Sequence, residues 1–297
     1  MAKASIRENM ETILCPTDFS PRSDRAIWYA DELAQRMNSR IVLLHTIYEP
    51  VVQGFISFSG DPYGGLPSAP PIRNPDYWQE QQGKLKALKQ ELQNTNWGMP
   101  VAYDTKIRYG DTKDTIPQVA HDLQADLIVM GTAGTDGPKD LFAGSQVTEV
   151  ISNAPCPVLI IPPKATFRPV YRMVFATDLE GEPFAEVAFV IKLAALFDSE
   201  IMFLHILADD HPYTRQRAQE AFDRLHKRLA YKNAAFITKT HPHIEAGISQ
   251  FTSNYKADML VMGYHPRNLW QHLFTQDYTQ ELAHHTTLPM LILHYYH

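Results

Sequence analysis

Gly131-Thr132-Ala133-Gly134, nine further residues and then Gly144-Ser145 follow directly on the apolar run from Asp126 to Met130. Residues of these types at this spacing suit the binding of an anion. Glycines at 131 and 134 allow the backbone to turn sharply and to come close to a guest. Gly144-Ser145 opens the next helical stretch, whose first N–H groups have no intrahelical acceptor and whose dipole favours phosphate. Ser145 adds a hydroxyl, and Gln146 and Thr148 lie in the same first turn. A nucleotide is the natural guest. The second half begins the same phrase at Ala257 to Gly263, then places Pro266 where a glycine is needed and Gln276-Asp277 where Gly-Ser stood.

Other chemistries fit less well. Gly137-Pro138-Lys139 does not stand in the order that a Walker loop requires, and no Gly-x-Gly-x-x-Gly follows the first strand. Ser145 is not framed as a nucleophile elbow, and no histidine is placed by sequence to activate it. No catalytic residue is assigned. Asp18, Asp136 and Asp140 are the carboxylates available to a phosphate-bound Mg²⁺. Eleven of the thirteen histidines fall in the second half, but without the spacing of a three-ligand set, and no metal site is assigned. His45 and His205 end equivalent apolar runs in both halves, which indicates a structural part for each. Cys15 and Cys156 sit in or beside apolar runs and read as small buried hydrophobes.

The elements that must position these residues come from an internal repeat. Ile13 to Asp18 matches Met173 to Asp178, and Ile41 to His45 matches Ile201 to His205, both at an offset of 160; Ala125 to Gly131 matches Ala257 to Gly263 at 132. The fall in offset leaves about 28 extra residues in the first half, visible as a Gly/Pro/aromatic-rich stretch from Glu49 to Trp78. Most of it, to Asp76, is expected to be a long loop at the carboxyl edge, either a lid over the nucleotide or a flap on the other half. Apolar runs predict strands near 12–17, 40–47, 101–108, 126–131 and 157–161, with helices near 21–37, 76–95, 112–123 and 145–153. In the second half, strands are expected near 171–177, 200–207, 234–240, 258–263 and 289–295, and helices near 182–197, 211–231, 245–255 and 277–286. Alternating strands and helices with right-handed crossovers give an α/β class: two tandem doubly wound domains, each a five-stranded parallel sheet flanked by helices. The expected domains are residues 1–163, with the glycine motif, and residues 164–297, without it.

On Pro16-Thr17-Asp18-Phe19-Ser20, Leu44-His45 and the phrase Gly131-x2-Gly134-x9-Gly144-Ser145, the chain resembles a tandem universal stress protein over nearly its whole length. The resemblance implies strand order 3-2-1-4-5 in each domain and ATP, with or without Mg²⁺, as the cofactor. It implies that Asp18 with neighbouring Thr17, and the backbone of Thr46, hold the adenine and ribose side. Pro16 and Met130 flank this set, and Gly131, Gly134, Gly144, Ser145, Gln146 and Thr148 take the phosphates. Read from the residues alone, Asp18 is either such an acceptor or a carboxylate capping the helix that starts at Pro21. The resemblance also implies pairing through the last strands, Val158 to Ile161 with Met290 to Leu293, and leaves homodimerisation of the whole chain open.

Composition agrees with a soluble globular chain of 297 residues, 44% hydrophobic, with a formal charge of -6. An acidic balance without a dense basic tract argues against nucleic acid, and no run approaches a membrane span. Cytoplasmic residence is the expectation. The leading functional expectation is a non-catalytic stress-response regulator that binds one ATP per chain in the first domain. A slow ATP-hydrolysing or phosphate-transferring enzyme and a nucleotide-free scaffold are the alternatives.

Overall fold

The computed structural model describes residues 10–48, 75–95, 98–132, 145–179, 184–264 and 288–294. The first half runs β1 (Thr12–Pro16), α1 (Pro21–Met37), β2 (Arg40–Ile47), α2 (Pro75–Thr95), β3 (Tyr103–Tyr109), α3 (Thr112–Leu123), β4 (Leu127–Gly131), α4 (Ser145–Asn153) and β5 (Val158–Ile161). The second runs β6 (Arg172–Ala176), α5 (Phe184–Ala195), β7 (Glu200–Leu207), α6 (Pro212–Arg228), β8 (Ala234–Thr240), α7 (Ile244–Tyr255), β9 (Met259–Tyr264) and β10 (Met290–His294). The expected loop lies outside the described residues from 49 to 74, as does the helix expected near 277–286. Helix α6 ends at Arg228, earlier than expected, because Leu229 turns extended and Tyr231 donates its hydroxyl to Ser199 O at 2.6 Å.

The described strands form one sheet in the order β3-β2-β1-β4-β5-β10-β9-β6-β7-β8. Within each half the order is 3-2-1-4-5 and every pairing is parallel, the doubly wound arrangement. Between β5 and β10 the direction reverses: Val158 faces Ile292, Leu159 faces Leu291 and Ile160 faces Met290. Strand alternation sends Ile13 and Cys15 to one face of the sheet and Leu14 to the other. On the first face they pack with α1 residues such as Ile27 and Leu33, and that core continues into the second half through Phe175, Phe203 and Leu291. The opposite core likewise runs from Leu14 and Val150 to Leu260 and Ile292. Cys15 and Cys156 are buried and unpaired, and burial raises both thiols well above their ordinary range.

The repeat persists in the backbone. The non-glycine residues with left-handed φ among those described are Phe19, Asn38, Gln124, Leu179, Asp198 and Lys256. They form three pairs at the two repeat offsets. Asn38, Gln124 and Lys256 each cap the carboxyl end of a helix. The Ala-Asp step before the fourth strand repeats as well: Asp126 Oδ2 accepts the N–H groups of Glu11 (2.8 Å) and Thr12 (3.0 Å), and Asp258 Oδ2 those of Tyr171 (3.1 Å) and Arg172 (2.9 Å). Each carboxylate anchors the start of its half's first strand, at the amino edge. The linker between β5 and β6, residues 162–171, is packed rather than loose. Ala165 and Val170 are buried, and the Phe167 ring meets Tyr29 of α1 at 4.9 Å and Phe197 beyond α5 at 6.3 Å. The Arg36 guanidinium lies 4.8 Å from the Phe167 centroid. No helix among the described residues is long and apolar enough to cross a membrane.

Candidate functional site

The strand order of the first half reverses between β1 and β4, and the crevice outside the carboxyl ends at such a point is where open α/β sheets bind ligands. Pro16, Thr17 and Asp18 leave β1 at this edge, Met130 and Gly131 end β4, and Thr46 lies near the end of β2. Helix α4 starts with Ser145, Gln146 and Thr148 in its first turn. Gly134 and Gly144 lie outside the described residues.

Thr17 is buried, and its hydroxyl makes the turn out of β1. It accepts the Phe19 N–H at 3.0 Å and meets the Ser23 hydroxyl at 3.0 Å, so Phe19 adopts φ 61°. Thr177 and Leu179 reproduce the turn, with a bond of 3.1 Å and φ 62°. Nδ1 of His45 lies 2.8 Å from Thr17 O, and Nδ1 of His205 lies 2.8 Å from Thr177 O. Both histidines therefore tie the second strand to the exit of the first, as a structural residue should. Asp18 accepts the Ser20 N–H at 3.0 Å, while Ser20 itself caps α1 by accepting from Ser23 N–H, with Pro21 in the first turn. Partial desolvation works against the charge on Asp18. Hydrogen bonds from Ser20, through hydroxyl and N–H, and from Ser23 outweigh it and hold the carboxyl below its usual range.

Gly131 owes its identity to a close approach by protein rather than to a turn. A Cβ at this position would stand 2.5 Å from Arg22 O and 3.0 Å from Arg22 C, in the first turn of α1. The next residue, Thr132, is 1% exposed, and its Oγ1 has no hydrogen-bond partner among the described residues. An unpaired buried hydroxyl costs about 1–3 kcal/mol.

Sequence reasoning missed a polar floor beside Thr46. Thr46 Oγ1 and Thr112 Oγ1 lie 2.8 Å apart, joining the end of β2 to the start of α3. Asp111 caps that helix by accepting Lys113 N–H at 3.2 Å. Lys113 Nζ reaches Glu149 of α4 at 3.1 Å, and Glu149, then Asp111, raise the ammonium above its ordinary range. At the repeat offsets, Ile206 and Ile244 replace Thr46 and Thr112, and His243 and Glu245 replace Asp111 and Lys113. Comparing the halves position by position is the signal that would have found this set. The second half's altered phrase, residues 265–287, lies outside the described residues.

Among the described residues no three His, Cys, Asp or Glu side chains gather as a metal set. His241 Nδ1 is instead held 2.6 Å from the backbone of His243.

The Universal stress protein family model matches residues 9–162 and again 170–294. The chain belongs to the universal stress protein family. Its two copies of the universal stress domain lie in tandem. A universal stress protein of Thermus aquaticus, encoded 3′ of a QAH/OAS sulfhydrylase, is 34% identical over 151 residues, which is 51% of this chain and 98% of that protein. A universal stress protein from Archaeoglobus fulgidus superposes with TM-score 0.67 at 15% identity and covers 98% of both chains, a likeness of fold over the full tandem. A shorter universal stress protein in complex with cAMP covers 51% of this chain and 96% of its own length, at 19% identity and TM-score 0.38.

Proposed function

We propose that this tandem universal stress protein binds one ATP per chain at the carboxyl edge of its first half, and that occupancy serves as a structural signal without dedicated turnover. The observation that carries this reading is the contrast between the two edges. The first half floors its crevice with the Thr46–Thr112 hydroxyl pair and the charged Asp111–Lys113–Glu149 set; the second floors the equivalent place with Ile206 and Ile244. Desolvating a nucleotide against isoleucine leaves its polar groups unpaired, whereas threonine hydroxyls and helix N-termini can meet them. The unpartnered Thr132 hydroxyl, next to Gly131, is a further donor that a phosphate oxygen can satisfy. Asp18, held ionised at neutral pH, suits a ribose or adenine donor. Pro16, Thr17, Met130 and the α4 turn with Ser145, Gln146 and Thr148 complete the proposed set; Gly134 and Gly144 belong to it by sequence.

In this reading residues 1–163 form the binding domain and residues 164–297 its partner. The β5–β10 ladder joins the two as a built-in dimer that covers both edges. ATP neutralised by Mg²⁺ and ATP alone are both tested by calorimetric titration of the whole chain. The expected result is about one site per chain, lost or weakened at least about tenfold in Thr46→Ile/Thr112→Ile, with no multiple-turnover phosphate release. Two sites per chain, an unchanged affinity in the double variant, or steady phosphate release would each overturn part of the proposal, and absence of any heat would return the chain to a scaffold.

A further inference from the structure

The first half holds a hollow at the amino edge, at the opposite end of the strands from the candidate nucleotide site. Its volume is about 600 Å³, and it is lined by the first residues of β1 and β2, with Glu11 and Arg40, and by the ends of α1 and α3 at Asn38 and Leu123. The second half carries larger, hydrogen-bonded side chains at the same place. There Tyr231 donates its hydroxyl to Ser199 O at 2.6 Å, Asn233 its amide to Asp198 at 3.0 Å, and Tyr255 its hydroxyl to Glu200 at 2.5 Å. The residues in register with these three are Pro100, Ala102 and Leu123, smaller side chains without a polar group. The fold is the same at both ends, so the opening is a matter of side chains.

The groups around it carry both signs. Arg40 is fixed by Nε donating to Thr12 Oγ1 at 3.0 Å and by Nη1 facing Asp104 at 3.5 Å, which among the described residues leaves further N–H groups of its fork for a guest. Glu11 presents an exposed carboxylate, its own N–H held by Asp126. Helices α1 and α3 both end here, and carbonyls at helix C-termini carry partial negative charge. A simple anion would be attracted by Arg40 and repelled by Glu11 and two helix ends. A simple cation would meet the guanidinium.

We propose that this hollow is a binding site for a small zwitterion, a free amino acid, with its carboxylate on Arg40 and its ammonium on Glu11 and the helix-terminal carbonyls. The proposal is independent of the nucleotide reading, since it uses the opposite edge of the sheet. The test titrates the whole chain with the common amino acids, read by calorimetry and thermal shift, beside their N-acetyl and methyl-ester forms, each of which lacks one charge. At least one free amino acid is expected to bind saturably, about one per chain, with both blocked forms at least about tenfold weaker. Arg40→Gln and Glu11→Gln should each weaken binding by a similar factor. Ala102→Asn/Leu123→Tyr, which imports two of the second half's three larger side chains, should abolish it with the far-ultraviolet circular dichroism unchanged. Absence of saturable binding by every free amino acid, equal binding of the blocked forms, or binding unaltered in Arg40→Gln and Glu11→Gln would overturn the proposal.

Discussion

At Gly131 the side chain is excluded by backbone, because the Arg22 carbonyl stands 2.5 Å from where Cβ would lie. Neither β4 nor the first turn of α1 can yield as a flexible side chain would. Gly131→Ala should therefore destabilise the nucleotide-free protein by about 1–3 kcal/mol, measured by chemical denaturation, a loss that a purely phosphate-contacting glycine would not show. Asp18 gives a prediction in pH. Its carboxyl is held below the ordinary value of 3.8, so its hydrogen bonds stabilise the fold fully above that value. The contribution is lost as pH falls through the depressed folded value. The stability difference between the wild type and Asp18→Asn should thus be constant from neutral pH down to about the ordinary aspartate range and shrink on further acidification. A difference that grows with acid would show that the carboxyl is not stabilised by folding. Thr17, by contrast, is legible in sequence only as part of a motif. Its hydroxyl is bound to Phe19 and Ser23, so its part in the site is to shape the turn that presents Asp18.

Helix α1 shows how one element serves two ends of the molecule. Ser20 and Pro21 start it, as the sequence indicates, and its first turn closes on Gly131 beside the crevice. Its middle buries Tyr29 and its last turn places Arg36 over Phe167, so the same helix holds the linker. The first strands are anchored in a comparable way by carboxylates from their neighbours. Asp126 and Asp258 each satisfy two N–H groups where a first strand begins, and removing either acceptor should cost about 1–2 kcal/mol. Strands β4 and β9 stand three intervals apart in the sheet, roughly 14 Å at the usual strand spacing. The effects of Asp126→Ala and Asp258→Ala should accordingly add in the double variant within about 0.5 kcal/mol, as read from denaturant midpoints. Strong non-additivity would mean that the two anchors are coupled through the sheet.

At the scale of the whole molecule, the described strands make one sheet whose two cores each draw on both halves. Phe175 of the second half is fully buried in a core that also contains Ile13 and Leu33 of the first. Phe175→Ala should cost about 3–5 kcal/mol and lower the melting of both halves in one calorimetric transition. Two separate transitions, with only one displaced, would show that the halves unfold independently. Most of this architecture is legible in the chain, because strand and helix periods, caps at Ser20 and Asp111, and the matched phrases at offsets of 160 and 132 are local properties. Two apolar runs of four residues, Val158 to Ile161 and Met290 to Leu293, are expected to pair only through the family resemblance, and the ladder fixes their antiparallel direction. The candidate site divides in the same way. Asp18, Gly131 and the start of α4 declare themselves by type and spacing, whereas Thr112, Lys113 and Glu149 join Thr46 only when α3 and α4 pack over the sheet. By itself the sequence determined the elements, their repetition and the residue types at the crevice, since these depend on neighbours along the chain. Only the tertiary structure decided that Gly131 is constrained by Arg22 and that the halves share their cores, because both follow from contacts between residues far apart in sequence.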